Sequence, residues 1–180
     1  MLYSTDPFSL VERKIMAALV SYPPLGALVR PDNRISFTDG EVEPIKENPS
    51  NADLPELLVY AIGGEFNAQG STSSSSVGIV QRYAIGVHTN DQRTNAPAGQ
   101  GINELKWRVF QACEAIHNTS KPGEVLGLPF VRICRLTSFS DQFGTDTFPP
   151  MNGLPSRIID GWSFVVTLEV VMVIKREPTL

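Results

Sequence analysis

The alternating pattern at residues 162–175 most strongly constrains the fold of this chain. Every second residue there is large and apolar, in the order Trp162, Phe164, Val166, Leu168, Val170, Met172 and Ile174. The positions between them are mixed and include Glu169 and Lys175. Since successive side chains of a strand point to opposite sides of a sheet, we predict a β-strand with one face buried and the other partly buried. Such a strand is stable only inside a sheet that helices cover.

Length and composition indicate one domain over residues 1–180. A chain of 180 residues with 42% hydrophobic side chains can bury a substantial core. The formal net charge of −4 argues against a general nucleic-acid binder, which would carry a basic surface. Cys113 and Cys134 are expected to be buried thiols rather than a disulfide or zinc ligands. No signal peptide or membrane-spanning run is recognised, so we expect a soluble protein made in a reducing cytosol.

Two amphipathic helices are predicted. The first begins after an Asp6 cap with Pro7 in its first turn, and it ends at residues 22–24. The second covers residues 102–117, where Ile102, Leu105, Val109, Cys113 and Ile116 form an apolar stripe. Trp107 and Phe110 stand off that stripe, so this helix has apolar surface in a second direction. Either another subunit or the first helix covers that surface.

Strands are predicted at residues 56–62, 77–88, 130–139 and 162–175, with short extended segments at 27–30 and 34–37. On 130–139, we expect Val131, Ile133, Thr137 and Phe139 to share one side. The long loops are predicted at 38–55, 63–76 and 140–161.

Two of these loops are candidates for contacts with a partner. Residues 64–76 are rich in Gly and Ser, and they are either a mobile loop or a hairpin arm that becomes ordered on a neighbouring subunit. The 140–161 loop holds Phe143, Phe148 and Met151, and its aromatic residues favour packing on a partner over disorder.

The order of elements predicts an α+β fold. We expect a two-layer sandwich in which a mainly antiparallel or mixed β-sheet is covered on one face by two helices, with long loop insertions. The helix between strands 77–88 and 130–139 allows one parallel pair. No catalytic residues, metal ligands or cofactor-binding residues are assigned. His88 and His117, the two histidines that nucleophilic catalysis could use, are interpreted as a polar residue at the end of a strand and a favourable charge at the end of a helix. Glu169 is expected to face solvent or to pair with Arg132 or Arg135.

Four segments carry a resemblance to a known family. They are the helix at 11–19, the strand at 78–88 that ends in a polar turn, the helical segment at 103–109 and the closing strand at 162–175. Their order resembles that of the tail terminator and tail-completion proteins of tailed bacteriophages. The resemblance implies a structural virion protein without enzymatic activity, assembled in the host cytoplasm. It would form a hexameric ring at the head-proximal end of the tail, end growth of the tail tube and join the tail to the head connector.

The resemblance also implies partners. These are further copies of the chain, the tail tube protein and the head–tail connector or stopper protein, while DNA passes through the lumen without specific binding and no membrane is involved. A ring closes only if each subunit presents two different complementary patches. The residues predicted to lie in subunit contacts are Gly64, Phe66, Gln69, Ser73, Trp107, Phe110, Phe143, Phe148 and Met151.

A second hypothesis comes from a different class. The chain could be a small α+β enzyme or ligand-binding protein with its site under the 140–161 loop. That hypothesis requires a deep pocket in which polar groups converge.

Overall fold

The computed structural model describes residues 6–36, 54–66, 76–89, 101–118, 125–148 and 157–175. They form the predicted α+β fold, in which a mixed β-sheet has its core on the helix-covered face. The helices are α1 (Pro7–Ser21), α2 (Pro23–Gly26) and α3 (Ile102–Asn118), with 3₁₀ turns at Pro31–Asn33 and Val125–Gly127. The strands are β1 (Arg34–Ser36), β2 (Glu56–Phe66), β3 (Ser76–Thr89), β4 (Val131–Phe148) and β5 (Arg157–Lys175).

The order of strands in the sheet is β1-β2-β3-β5-β4. β1 pairs with β2 in parallel, and all other neighbours are antiparallel. The parallel pair is therefore not the one that the α3 crossover allowed, because β5 lies between β3 and β4. The last strand in the chain is inserted between two earlier ones, which gives its apolar row a partner on both sides.

The alternation in β5 is confirmed. Its buried row faces the helices and consists of Phe164, Val166, Leu168, Val170 and Met172. The opposite row is mixed, as predicted: Glu169 is largely buried, Val171 is half-buried and Lys175 is exposed. β3 follows the same rule, since Tyr83, Ile85 and Val87 are buried in the same core.

Both long helices begin and pack as their sequences predict. The Asp6 carboxylate accepts a hydrogen bond from the backbone N–H of Ser9 at 2.9 Å, which satisfies one of the free donors of the first turn of α1. Val11, Ile15 and Leu19 of α1 are fully buried, and the predicted stripe of α3 is buried along its whole length. Cys113 and Cys134 are buried free thiols, also as predicted.

The extended segment predicted at 27–30 is wrong, whereas the one at 34–37 is confirmed as β1 over Arg34–Ser36. Residues 27–29 follow α2 in a turn. The Arg34 guanidinium donates to the carbonyl of Gly26 at 2.8 Å and to that of Val29 at 2.8 Å. This side chain closes the turn on itself, an interaction that local propensity does not reveal.

The predicted loop at 140–161 is largely β-strand. Residues 140–148 continue β4, residues 157–161 begin β5, and only 149–156 lie outside the described residues. The 63–76 loop is also shorter than predicted, because 63–66 belong to β2 and Ser76 begins β3. Of the 38–55 loop, only Leu54 and Pro55 lie among the described residues. Gly and polar residues suggested loops, but strand pairing decides the conformation.

Two bulges in β4 overturn the prediction that Val131, Ile133, Thr137 and Phe139 share one side. Register shifts occur between Val131 and Ile133 and between Leu136 and Ser138. Each shift inserts one residue, and the side-chain direction changes with it. Val131 is consequently buried towards the helices while Ile133 is exposed, and Phe139 pairs opposite Val166 of the helix-facing row.

Candidate assembly surfaces

A two-stranded hairpin projects beyond the rest of the described sheet. The last pair between β3 and β5 joins Thr89 to Trp162. β4 and β5 continue past that point, from the pair Gly144–Gly161 to the pair Phe148–Arg157. We call residues 144–148 and 157–161 the distal hairpin. At about 3.4 Å per residue, its described part extends about 17 Å beyond the last residue of β3.

The distal hairpin cannot be very stable by itself. Among the described residues, no third strand flanks it, and an isolated two-stranded hairpin is marginally stable in water. The distal hairpin is thus a segment that a contacting surface would stabilise.

An exposed aromatic cluster lies where α3 meets β4. The ring of Phe110 contacts that of Phe139 edge to face, with centroids 5.5 Å apart, and also that of buried Phe164 at 6.1 Å. Phe139 is 61% exposed, and Trp107, one turn before Phe110 on α3, is 58% exposed. We call Trp107, Phe110 and Phe139 the aromatic cluster. Large exposed aromatic side chains of this kind dominate the energetics of many protein interfaces.

The aromatic cluster lies next to the base of the distal hairpin. Asp141, two residues beyond Phe139, accepts an ion-pair hydrogen bond from Lys106 of α3 at 2.7 Å. This contact holds β4 against the helix shortly before β4 extends beyond the last pair between β3 and β5. The aromatic cluster and the distal hairpin are therefore close to one another along the β4 edge.

The sheet face opposite the helices carries four alternating charges in a row, one on each long strand. Glu65 of β2 accepts from Arg82 of β3 at 3.0 Å, and Arg82 Nε lies 3.6 Å from an oxygen of Glu169 on β5. Arg135 of β4 donates to Glu169 through Nε at 2.9 Å and through Nη2 at 2.5 Å. We call these residues the charge ladder. The prediction that Glu169 pairs with a cation is confirmed with Arg135.

The ends of the charge ladder differ from its interior. The side chain of Glu169 is 9% exposed, whereas the side chains of Glu65 and Arg135 are 61% and 56% exposed. Exposed ion pairs contribute little to stability, because water already solvates both groups well. The two ends are accordingly accessible for further contacts, with an acid at one sheet edge and a base at the other.

The predicted contact residues fall into three groups. Trp107 and Phe110 lie in the aromatic cluster, and the ring of Phe110 contacts Phe139 of β4 and Phe164 of β5. Gly64 and Phe66 lie in β2 rather than in a loop, and Phe66 is exposed. Phe143 and Phe148 belong to β4, while Gln69, Ser73 and Met151 lie outside the described residues.

Gly64 has a packing reason of its own. A Cβ atom at this position would lie 2.7 Å from the carbonyl oxygen of Val80 on β3, so the close approach of β2 to β3 requires glycine. The neighbouring Gly63 has φ of +128° at a bulge in β2, a conformation that other residues rarely adopt. These glycines serve the strand rather than a flexible arm.

Phe139 and His88 were not predicted to lie where the structure places them. Phe139 belongs to the aromatic cluster because a bulge turns it towards the helices, and no local sequence signal marks that bulge. His88 was expected to be a polar residue at a strand edge, but it is fully buried, with Nδ1 2.9 Å from a carboxylate oxygen of Glu56. A search for acidic residues opposite His88 in a hairpin register could have found this pair.

An apolar groove runs between the end of α1 and α3. It has a volume of about 240 Å³ and is lined by Ala18, Ser21, Tyr22, Pro23, Ala112, Ala115, Ile116 and Leu126. Small apolar side chains dominate this lining, and none of the described residues that form it carries a carboxylate, an amine or an imidazole. The groove is therefore unlike a site in which polar groups converge on a substrate.

The two cysteine thiols of the core are shielded from water. Burial raises the pKa of the Cys134 thiol to about 12, and burial followed by the charge of Cys134 raises the pKa of the Cys113 thiol. Such thiols are protonated and poorly nucleophilic at neutral pH. Within the described ranges, no three His, Cys, Asp or Glu residues come together as metal ligands.

None of the described helices is long and apolar enough to cross a membrane. No family model matches the chain, and no curated protein is detectably similar to it in sequence. What the protein does must therefore be argued from its surfaces.

Proposed function

We propose that the protein is a structural subunit that assembles with identical copies into a ring, at the head-proximal end of a phage tail. In that position the ring ends growth of the tail tube and joins the tail to the head connector. The protein acts through shape and contact rather than through catalysis. Its partners are its own copies, the tail tube protein and the connector.

The observation that carries the proposal is the distal hairpin. A hairpin that projects about 17 Å from the described sheet needs a surface to cover it. The aromatic cluster at its base adds exposed apolar area on the same side of the protein. Surfaces of this kind are typical of subunits that complete their packing in an assembly.

The phage-tail part of the proposal is supported by the order of elements. The helix at 11–19, the strand at 78–88, the helical segment at 103–109 and the closing strand at 162–175 follow one another in the order that resembles the tail terminator and tail-completion proteins. Because one fold serves many functions, this support is an analogy, and the assembly test comes first.

The test measures the size and shape of the purified full-length protein. Light scattering after size-exclusion chromatography should give the mass of several identical copies, and electron micrographs should show annular particles. A protein that stays monomeric at every concentration, with no annular particles, contradicts the proposal.

A deletion tests the role of the distal hairpin. Replacing residues 145–160 by Asn-Gly joins Gly144 to Gly161, which already face each other in the register, through a two-residue hairpin turn. We expect this variant to keep its circular dichroism spectrum and its unfolding transition but to lose the annular particles. Particles that persist in the variant would show that the distal hairpin is not required for assembly.

The ligand-binding hypothesis has less support. It places a site under a loop at 140–161, but the described part of that segment is paired strand. The groove described above lies elsewhere, between the helices, and its described lining residues carry no charged groups.

A further inference from the structure

The two outer edges of the sheet are different, and each has a stretch that pairs with none of the described strands. β1 covers β2 only at Leu57–Val59, so no described strand pairs with the outer edge of residues 61–66. β4 has β5 on one side and no described strand on the other. Open edges of this kind present unpaired N–H and C=O groups that another strand can use.

The strand directions make these two edges compatible. β2, β3, β5 and β4 alternate in direction across the sheet. β4 therefore runs antiparallel to β2, although the two strands are at opposite edges. If a second copy is placed with its β2 beside β4, the new pair is antiparallel and the alternation continues. The helices of both copies then stay on the same side of the joined sheet.

The charge ladder has the same directional property. It runs from Glu65 at the β2 edge, through Arg82 and Glu169, to Arg135 at the β4 edge. A second copy in the same orientation brings the acidic end of its ladder next to the basic end of the first. Contact between two copies of the same edge would instead bring like charges together, which costs free energy.

The register across the sheet places these charges at a bonding offset. Gly63, Arg82, Glu169 and Arg135 lie in one row across the strands, and Glu65 lies in the row of Ile133. Glu65 is thus diagonal to Arg82, and this diagonal pair bonds at 3.0 Å within one chain. A neighbouring β2 in line with β4 would set its Glu65 diagonal to Arg135 in the same way.

Each edge also exposes an apolar side chain. Ile62 at the β2 edge and Ile133 at the β4 edge are both exposed. Pairing of the edges would remove both side chains from water, which is the term that favours association.

We infer that the occupant of each open edge is a second copy of this chain, with residues 62–65 of β2 in one subunit pairing antiparallel with residues 133–136 of β4 in the next and Glu65 bonding to Arg135 across the contact. This contact is head-to-tail, and it supplies the two different complementary patches that a closed ring requires. The inference rests on the proposed function and identifies the surfaces that the ring would use.

Cross-linking of two single variants tests the contact with both charge-ladder ends intact. Ile62→Cys in a tagged chain and Ile133→Cys in an untagged chain are mixed and treated with a short bis-maleimide. We expect a covalent dimer that contains one chain of each kind. Each variant alone should give no more product than the wild type, whose own cysteines are buried. A mixture of Glu104→Cys, on the helix side, with Ile133→Cys is the matched control and should not react.

One further substitution tests the role of charge. Arg135→Gln in the Ile133→Cys chain removes the cation at the contact, and we expect the yield of mixed dimer to fall several-fold. The same Arg135→Gln in the Ile62→Cys chain lies at the edge that does not take part in the cross-link. There it should leave the yield unchanged. Arg135→Lys in the Ile133→Cys chain keeps the cation and should restore most of the yield that Arg135→Gln removes.

The outcomes separate this inference from the proposed function. Annular wild-type particles without the mixed dimer, or with dimers from one variant alone, overturn edge pairing and leave the ring intact. A mixed dimer without annular particles supports edge pairing and overturns the ring. Neither particles nor cross-links would overturn both.

Discussion

The two faces of the sheet differ in how their residues are stabilised. On the helix side, β5 presents Phe164, Leu168 and Val170, which are buried in the core that α3 covers. On the opposite side, the same strand presents Glu169 within the charge ladder, between half-buried residues such as Val165 and Val171. The first face stabilises the single chain. The second is only partly covered by described residues and has exposed charged side chains at its ends, so it is suited to contacts between chains.

The largest effect is expected on the helix side. Phe164→Ala would remove a fully buried ring that also contacts Phe110, and it should lower the free energy of unfolding by about 3–5 kcal/mol. Val165→Ala, next to it on the other face, is the matched control and should cost less than about 1.5 kcal/mol. Urea unfolding of both variants measures the difference. Equal losses of free energy would show that the two faces of the sheet are equally buried, which contradicts the difference between them.

A smaller effect is expected inside the charge ladder. Glu169→Gln removes the carboxylate that Arg135 and Arg82 share, and it should lower the free energy of unfolding by about 1–2 kcal/mol. The loss is limited because both arginines remain accessible to water. Repeating the measurement at high salt should shrink the difference if it is electrostatic. A loss as large as that of Phe164→Ala would mean that the charge ladder is part of the core.

Removing the buried hydroxyl of Tyr83 tests how much a single hydrogen bond on the helix side contributes to the free energy of unfolding. It donates to the backbone carbonyl of Phe8 at 3.1 Å, so Tyr83→Phe should cost about 1 kcal/mol at pH 7. Burial, followed by the charges of Glu12 and Asp6, raises the pKa of Tyr83 above its ordinary value of 10.0. The unfolded chain then loses this proton at a lower pH than the folded one, and stability falls as the pH rises above about 10.

The pH dependence of Tyr83→Phe separates its hydroxyl from the two buried thiols. The wild type should lose stability from about pH 9, where unfolded cysteines ionise, and more steeply above about pH 10. Tyr83→Phe should remove only the steeper part. Denaturant unfolding at several pH values between about 8 and about 11 measures this difference. An unchanged profile in the variant would show that Tyr83 ionises normally in the folded protein.

The smallest effect on stability is expected at the end of the charge ladder. The Arg135 side chain is half exposed, so Arg135→Ala should lower the free energy of unfolding by less than about 1 kcal/mol. The same change should reduce assembly, measured by light scattering, because it removes the cation from the open edge. A large loss of stability together with normal assembly would reverse the roles assigned to the two faces.

The regular parts of the fold were predictable because each depends on a short-range pattern. The Asp6 cap, the α3 stripe and the β5 alternation appear in the sequence and in the structure alike. The bulges of β4 were not predictable, because they depend on how β4 fits β5 and α3. For the same reason Ile133 was grouped with Val131 and Phe139, although it lies on the opposite side of the sheet, and the aromatic cluster was recognised only in part.

The candidate surfaces show the same division. Trp107 and Phe110 were identified because they fall off a helical stripe, and their positions on α3 follow from periodicity. The charge ladder joins residues from four strands that are far apart in the chain, and only Glu169 with Arg135 was anticipated. The distal hairpin was interpreted as a loop because its local composition is rich in Gly and polar residues. Its pairing of β4 with β5 depends on how the two segments meet, which composition does not show.

By itself, the sequence determined which residues enter the core, since the hydrophobic effect acts on each side chain through its position in a local repeat. The tertiary structure alone decided the strand order, the insertion of β5 between β3 and β4, and the extent of the β4–β5 pairing. Those features depend on hydrogen bonds and contacts between distant segments, whose free energy exists only once the chain has brought them together.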